Sequence, residues 1–188
     1  MSEELLPRVL PATMDDAQRA LHARLTDGPR GNGPFPIVEA DGSLNGPFGL
    51  MLQAPSVGTA LAGLGDAIRF GSSLDARTRE IAILTVGAVT GSRYECWAHE
   101  RVAAAIGMPE AEVSALMEGV DWPGASAADL AVRDVAARMA EGGELPPASA
   151  RRLVDEVGAV AAIEVMTLAG YYVMLARMMG ACGIEPPT

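Results

Sequence analysis

The segment AVAAIEVMTLAGYYVMLARMMGACG, residues 159–183, most constrains what this chain can fold into. It is a long run, apolar on every face, and it reads as a helix. It has about the twenty residues that a bilayer crossing needs. Glu164 and Arg177 lie inside it, however, and each would cost roughly 2.5–3.5 kcal/mol at the centre of a bilayer helix. It also follows a series of amphipathic helices typical of a soluble domain. The expectation is therefore a helix buried all round, in the core or in a subunit interface, with no membrane partner. A chain of 188 residues has little interior to surround such a helix, and this points to a homo-oligomer.

The rest of the chain agrees with an all-α fold. Apolar residues make up 49% but aromatic ones only 4%, so the core is built from Ala, Leu, Val, Ile and Met, which suit helices. Alternating runs of Val, Ile and Thr are absent, so few strands are expected. Stop and start signals divide the chain. A helix is expected from Thr13 as N-cap to Gly28-Pro29. A Gly/Pro-rich loop of about twenty residues follows, and loops of that size are usually functional. It contains Phe35 and Phe48, two of the three phenylalanines, so an ordered loop packed over the body is expected. Next come a short helix ended by Pro55 and a helix capped by Ser56, with Leu61, Leu64 and Ile68 on one face. A helix from Asp75 to Gly91 and another from Ser92 to Gly107 follow, the latter with Glu95 at capping-box spacing. Helices opened by Pro109 and Ser126 and a short one after Leu145 complete the set. We divide the chain into an N-terminal helix and loop, 1–45, and a helical body, 46–188, of one domain overall.

Charge and composition exclude several functions. The net charge of −10 disfavours a nucleic-acid partner. All 14 basic residues are arginine, which removes Schiff-base chemistry and a P-loop lysine. No cofactor and no metal are expected. Cys96 and Cys182 do not form a disulfide framework. The acidic N-terminus lacks the pattern of a signal peptide, so a cytoplasmic protein is expected.

The chemistry concentrates in SRYECWAHERVAAAIG, residues 92–107. On a helix His99 lies above Glu95 and Cys96, and Val102, Ala103 and Ile106 continue its face inward. In the preceding helix, Glu80 opens a strongly apolar run and needs a partner or a proton. The tight Gly91-Ser92 turn makes the two helices antiparallel neighbours, with Glu80 and His99 at similar heights. A buried carboxylate that holds a histidine fixes its tautomer and sets up proton transfer. The same pair also fits a satisfied core contact, and Glu80, Glu95 and His99 form a weak metal set.

RTREIAILTVGAVTGSRYECWAHERVAAAIGMPEAEVSAL, residues 77–116, resembles the core of the carboxymuconolactone decarboxylase family, which includes the AhpD-like alkylhydroperoxidases. The looser likeness extends from about Gly46 to the end. It implies an all-α, AhpD-like helical bundle that forms trimers or hexamers, with the site near subunit contacts. Glu80 matches the family's helix glutamate and His99 its histidine. The peroxidase branch carries a Cys-x-x-Cys pair where this chain has Ser92 and Glu95, so a dithiol peroxidase is not expected. The form with Glu95 before His99 looks like the decarboxylase-like branch.

The resulting expectation is a cofactor-independent lyase or isomerase acting on a small carboxylated or lactone-like substrate. His99 would shuttle the proton, Glu80 would orient it and Glu95 would act as a second acid/base. Arg77, Arg79 or Arg93 would bind a substrate carboxylate, with Tyr94 and Cys96 beside the substrate. The alternatives are a thiol-dependent redox protein using Cys96 and a non-catalytic oligomeric scaffold.

Overall fold

Asp75 starts the helix around which the molecule is built. Its side chain accepts from the Thr78 amide at 2.7 Å, and Gly91, in the left-handed conformation at φ 68°, ends the helix after Thr90. Glu80 through Gly87 are all buried along this helix, α4 (Ala76–Thr90). Eight consecutive buried residues cover every face of a helix, so α4 is the central element.

The computed structural model describes residues 5–187. The reading of the N-terminus as no signal peptide falls partly on residues 1–4, outside them. In chain order the helices are α1 (Asp16–Asp27), α2 (Gly46–Gln53), α3 (Pro55–Asp66), α4, α5 (Arg93–Ala105), α6 (Glu110–Glu118), α7 (Ala127–Glu141), α8 (Pro147–Val157) and α9 (Ala159–Cys182). Among the described residues the only extended pairing is an isolated bridge between Val38 and Leu44. The fold is all-α. Helices α5, α6, α7 and α9 surround α4, and α8 braces α7 and α9. Helix α1 lies on α2 and α3, with Leu21 and Leu25 in the core.

Several boundaries move from their expected places. Asp15, not Thr13, caps α1, in a full capping box with Gln18. Pro55 opens α3 instead of merely ending α2, because its missing N–H has no partner to lose at a first helical position. Phe48 belongs to α2 and not to the loop. Of the face expected of Leu61, Leu64 and Ile68, Leu61 and Ile68 pack on the core while Leu64 is exposed. After Asp66 the α-helix widens into a π turn over Ala67–Gly71, which shifts the following side chains by a fraction of a turn.

Helix α9 is not enclosed within the chain. Val160 is 69% and Ile163 62% exposed. A 24-residue helix runs roughly 36 Å, close to the full width of a molecule this size, so one flank and its ends reach the surface. Its length and apolarity would let it cross a membrane, but it packs on α4, α7 and α8 as a core helix does.

The Gly/Pro-rich loop is ordered by what it buries. Ile37 and Leu44 enter the core, and the Tyr94 hydroxyl donates to Asn45 Oδ1 at 2.6 Å. Gly46, at φ 59°, lies directly against the Tyr94 ring; a Cβ there would stand 2.1 Å from Tyr94 Cζ. Gly46→Ala is expected to lose roughly 1–3 kcal/mol of stability, from backbone strain and displacement of the ring together. A lower urea midpoint with an unchanged slope would be the expected reading; an unchanged midpoint would contradict the packing.

Candidate active site

Helices α4 and α5 bring Glu80 and His99 together. Their antiparallel packing across Gly91-Ser92 sets the His99 Nδ1 to Glu80 Oε2 distance at 2.6 Å. A carboxylate only accepts, so Nδ1 carries the hydrogen and donates. The other nitrogen, Nε2, is left with its lone pair. It points toward Glu95 Oε2 at 3.5 Å, one turn earlier on α5. All three side chains are at most 5% exposed.

Ser92 caps α5 by accepting from the Glu95 amide at 3.4 Å. The reciprocal half of the expected capping box is missing, because the Glu95 carboxyl is turned inward to His99. Its other oxygen, Oε1, is buried without a hydrogen-bond partner. Burial, reinforced by Glu80 and opposed by Arg69, pushes the Glu95 carboxyl up to about 8. At neutral pH it mostly holds its proton. Burial also lowers the His99 imidazole from its ordinary value, against the pull of Glu80. The site therefore pairs a neutral base with a protonated acid.

His99 and Glu95 line a cavity of about 190 Å³, and Glu80 lies behind its wall. Its walls come from the Gly/Pro loop (Arg30, Phe35, Ile37), from α2 (Phe48, Met51), from the π turn (Arg69, Phe70), from α5 and from α9 (Tyr171, Tyr172, Leu175). Phe35 meets Trp97 edge-on at 5.4 Å. The Tyr172 ring stands perpendicular to His99 at 5.1 Å. Arg69 Nη1 donates to the Tyr172 hydroxyl at 2.9 Å and lies 3.8 Å from Glu80 Oε1.

The three arginines expected to bind a carboxylate are elsewhere. Arg77 ties α4 to α6 and α7 through Glu112 at 2.5 Å and Asp129 at 3.2 Å. Arg79 turns back on the Leu74 carbonyl. Arg93 is exposed and pairs with Glu185. Each sits near a helix start, but its position on the helical wheel turns it away from the cavity. Tyr94 lines the cavity. Cys96 does not; its Sγ packs against the Gly87 backbone. Burial, with Glu100 and Glu95 nearby, pushes its thiol up to about 11. Glu80 and Glu95 approach opposite nitrogens of His99, so the three do not converge on a point where an ion would sit. Among the described residues no other group of His, Cys, Asp and Glu is arranged to hold a metal.

Sequence reasoning missed Arg30, Arg69 and the Tyr171–Tyr172 pair. Two adjacent tyrosines in an otherwise aliphatic helix, and an arginine between Ile68 and Phe70, were available signals. Arg30, in an irregular loop, gave none.

The all-helical fold is an AhpD-like one. Residues 55–138 match the model of the carboxymuconolactone decarboxylase family. No curated protein sequence matches this chain. Among solved structures it is similar to the debrominase Bmp8 in complex with 2,3,4-tribromopyrrole, with a TM-score of 0.78, 15% identity, and 99% of this chain and 93% of that one covered. It is also similar to a peroxidase-related protein with an AhpD core from Ralstonia eutropha, with a TM-score of 0.76, 16% identity, and 100% and 94% covered. A peroxidase-related protein from Silicibacter gives a TM-score of 0.71 at 15% identity, with 100% and 94% covered. At these identities the likeness is one of fold.

Proposed function

We propose that this protein is a cofactor-independent lyase or isomerase that moves a proton on a small, one-ring carboxylated or lactone-like substrate. The observation that carries the reading is the opposition of Glu95 and His99: an acid holding its proton faces the free lone pair of a neutral imidazole. Environments that push two titratable groups apart in this manner assign acid and base. Size supports the substrate class. An engineered cavity of about 150 Å³ holds benzene, so about 190 Å³ suits one ring with small substituents.

In the isomerase direction, Nε2 of His99 takes a proton from carbon and Glu80 stabilises the imidazolium. The electron pair moves into a conjugated carbonyl, the Glu95 O–H returns a proton at another carbon, and the imidazolium then passes its proton to the Glu95 carboxylate. In the lyase direction, the bond from carbon to the carboxylate breaks, carbon dioxide leaves and the resulting enolate takes its proton from Glu95. Solvent then reprotonates Glu95. The enolate charge falls near Arg69, a fixed cation in a low-dielectric site. The homo-oligomer, trimer or hexamer, belongs to the same proposal, supported by the exposed apolar flank of α9; sedimentation reads it directly.

The test is incubation in D₂O with unsaturated lactones and their carboxylates, followed by proton NMR. Deuterium incorporation at carbon, with or without carbon dioxide release, is expected. Compounds that occupy the cavity yet never exchange or decarboxylate would end the reading. A thiol mechanism at Cys96 is disfavoured by its raised thiol and its place outside the cavity wall. Cys96→Ser is therefore expected to keep activity within about twofold, since a thiol that only packs makes no interaction specific to the transition state. A large loss with the fold intact would reinstate the thiol. A purely structural Glu80–His99 pair is also disfavoured, because it would need neither the cavity nor the unpartnered Glu95 Oε1.

A further inference from the structure

We propose that Arg30 is the anion anchor of the cavity, and that the cavity takes a one-ring monocarboxylate with its carboxylate seated on the Arg30 guanidinium. The inference rests on the reading above only in taking this cavity as the substrate site.

The Arg30 side chain is 11% exposed, and Nη2 is buried without a hydrogen-bond partner. A buried charged donor left unpaired is expensive, and so an acceptor is expected there when the site is filled. The rest of the guanidinium is held in place. Its Nε donates to Asp66 Oδ1 at 2.9 Å, while Asp66 Oδ2 accepts from Arg24 at 3.0 Å. The group lies over the Phe48 and Phe70 rings, 5.8 Å from each centroid. Gly65 makes room beneath: a Cβ at that position would stand 2.5 Å from both Arg30 Nη2 and the Tyr171 hydroxyl. A planar fork held on its Nε edge, with a donor still unpaired, is suited to a carboxylate.

The charge balance favours the same ligand. Asp66 is shared by two arginines, so it does not neutralise both. Arg69 adds a second cation to the wall, while His99 is neutral and Glu95 mostly protonated. Behind the wall, Glu80 is engaged by His99 and Arg69. The lining therefore presents cations to an otherwise aromatic and aliphatic space, which a neutral ring would fill but not balance.

Benzoate, with benzamide as its neutral counterpart, is the probe. Binding is read by calorimetry and by the shift of the His99 ring protons, neither of which requires turnover. Wild type is expected to bind benzoate at least about tenfold more tightly than benzamide, the size of one charge-assisted hydrogen bond. Arg30→Gln should cut that preference to about threefold or less, with Arg69 the cation that remains in the wall. Arg30→Lys should restore part of the preference, since it keeps the charge but not the fork. Equal affinity for the two probes in the wild type would overturn the proposal, and so would an absence of benzoate binding at millimolar concentration. These wild-type comparisons hold even if the variants fail to fold. If benzoate binds as expected while the D₂O panel shows no exchange, the anchor stands and the proton-transfer reading fails; exchange without a carboxylate preference gives the opposite result.

Discussion

Replacing His99 with Gln is expected to lower turnover by roughly 10²–10⁴-fold, the contribution of a positioned general base, with the helical content unchanged. His99 is the one imidazole of the cavity, and its bond to Glu80 fixes which nitrogen keeps the basic lone pair. Gln can still donate an N–H to Glu80, so the buried carboxylate keeps a partner. It cannot take a proton. The loss should therefore fall on kcat and not on ligand binding, which benzoate affinity would report separately. Glu80→Gln should show a smaller loss, because the imidazole survives but its cationic form is no longer stabilised. A His99→Gln protein that turns over at the wild-type rate would exclude the mechanism.

How much of this was legible in the sequence depended on how local each signal was. Asp75, Gly91 and Ser92 acted within one turn of themselves, and the structure has the helix ends where they indicated. Those ends fixed the packing of α4 on α5, and with it the meeting of Glu80 and His99, a contact across nineteen positions. The cavity-lining cations were not legible in that way. Arg69 reaches the cavity because the helix widens at Ala67–Gly71, and no cap or period announces a π turn. Arg30 arrives from a loop whose path is set by Ile37, Leu44 and the Tyr94–Asn45 bond, all interactions with distant elements. Their places near the starts of α4 and α5 drew attention to Arg77, Arg79 and Arg93, but charge at a helix start can serve neighbouring helices, as the Arg77 pairs with Glu112 and Asp129 do. The long apolar segment misled in a related way. Apolarity on all faces was equally true of α4, and the shorter helix took the centre.

Glu95 carries the second large effect, and it is one of pH. In the unfolded chain its carboxyl titrates near 4.5, and in the folded protein it is pushed up to about 8. Below 4.5 both states hold the proton and this group gives no pH dependence. Between 4.5 and about 8 the unfolded chain releases the proton while the folded protein keeps it, so stability falls as pH rises. Above that window the folded form ionises as well and the loss is complete, at most about 5 kcal/mol for a shift of this size. Glu95→Gln cannot ionise. Its stability relative to wild type should therefore climb steadily from pH 5 to pH 9, as followed by urea unfolding at each pH. The lowered His99 works in the other direction, removing stability as pH drops below its ordinary 6.5, and it is present in both proteins. The same proton sets the rate. Wild-type turnover should decline above about pH 8 as the acid is lost, while the Gln variant should be slow at every pH, with no alkaline limb to lose. A carbon-13 titration of the Glu95 carboxyl isolates the group. A midpoint near 4.5, with a stability difference flat across the window, would mean that Glu95 is ionised in the folded protein and is not the acid of this site.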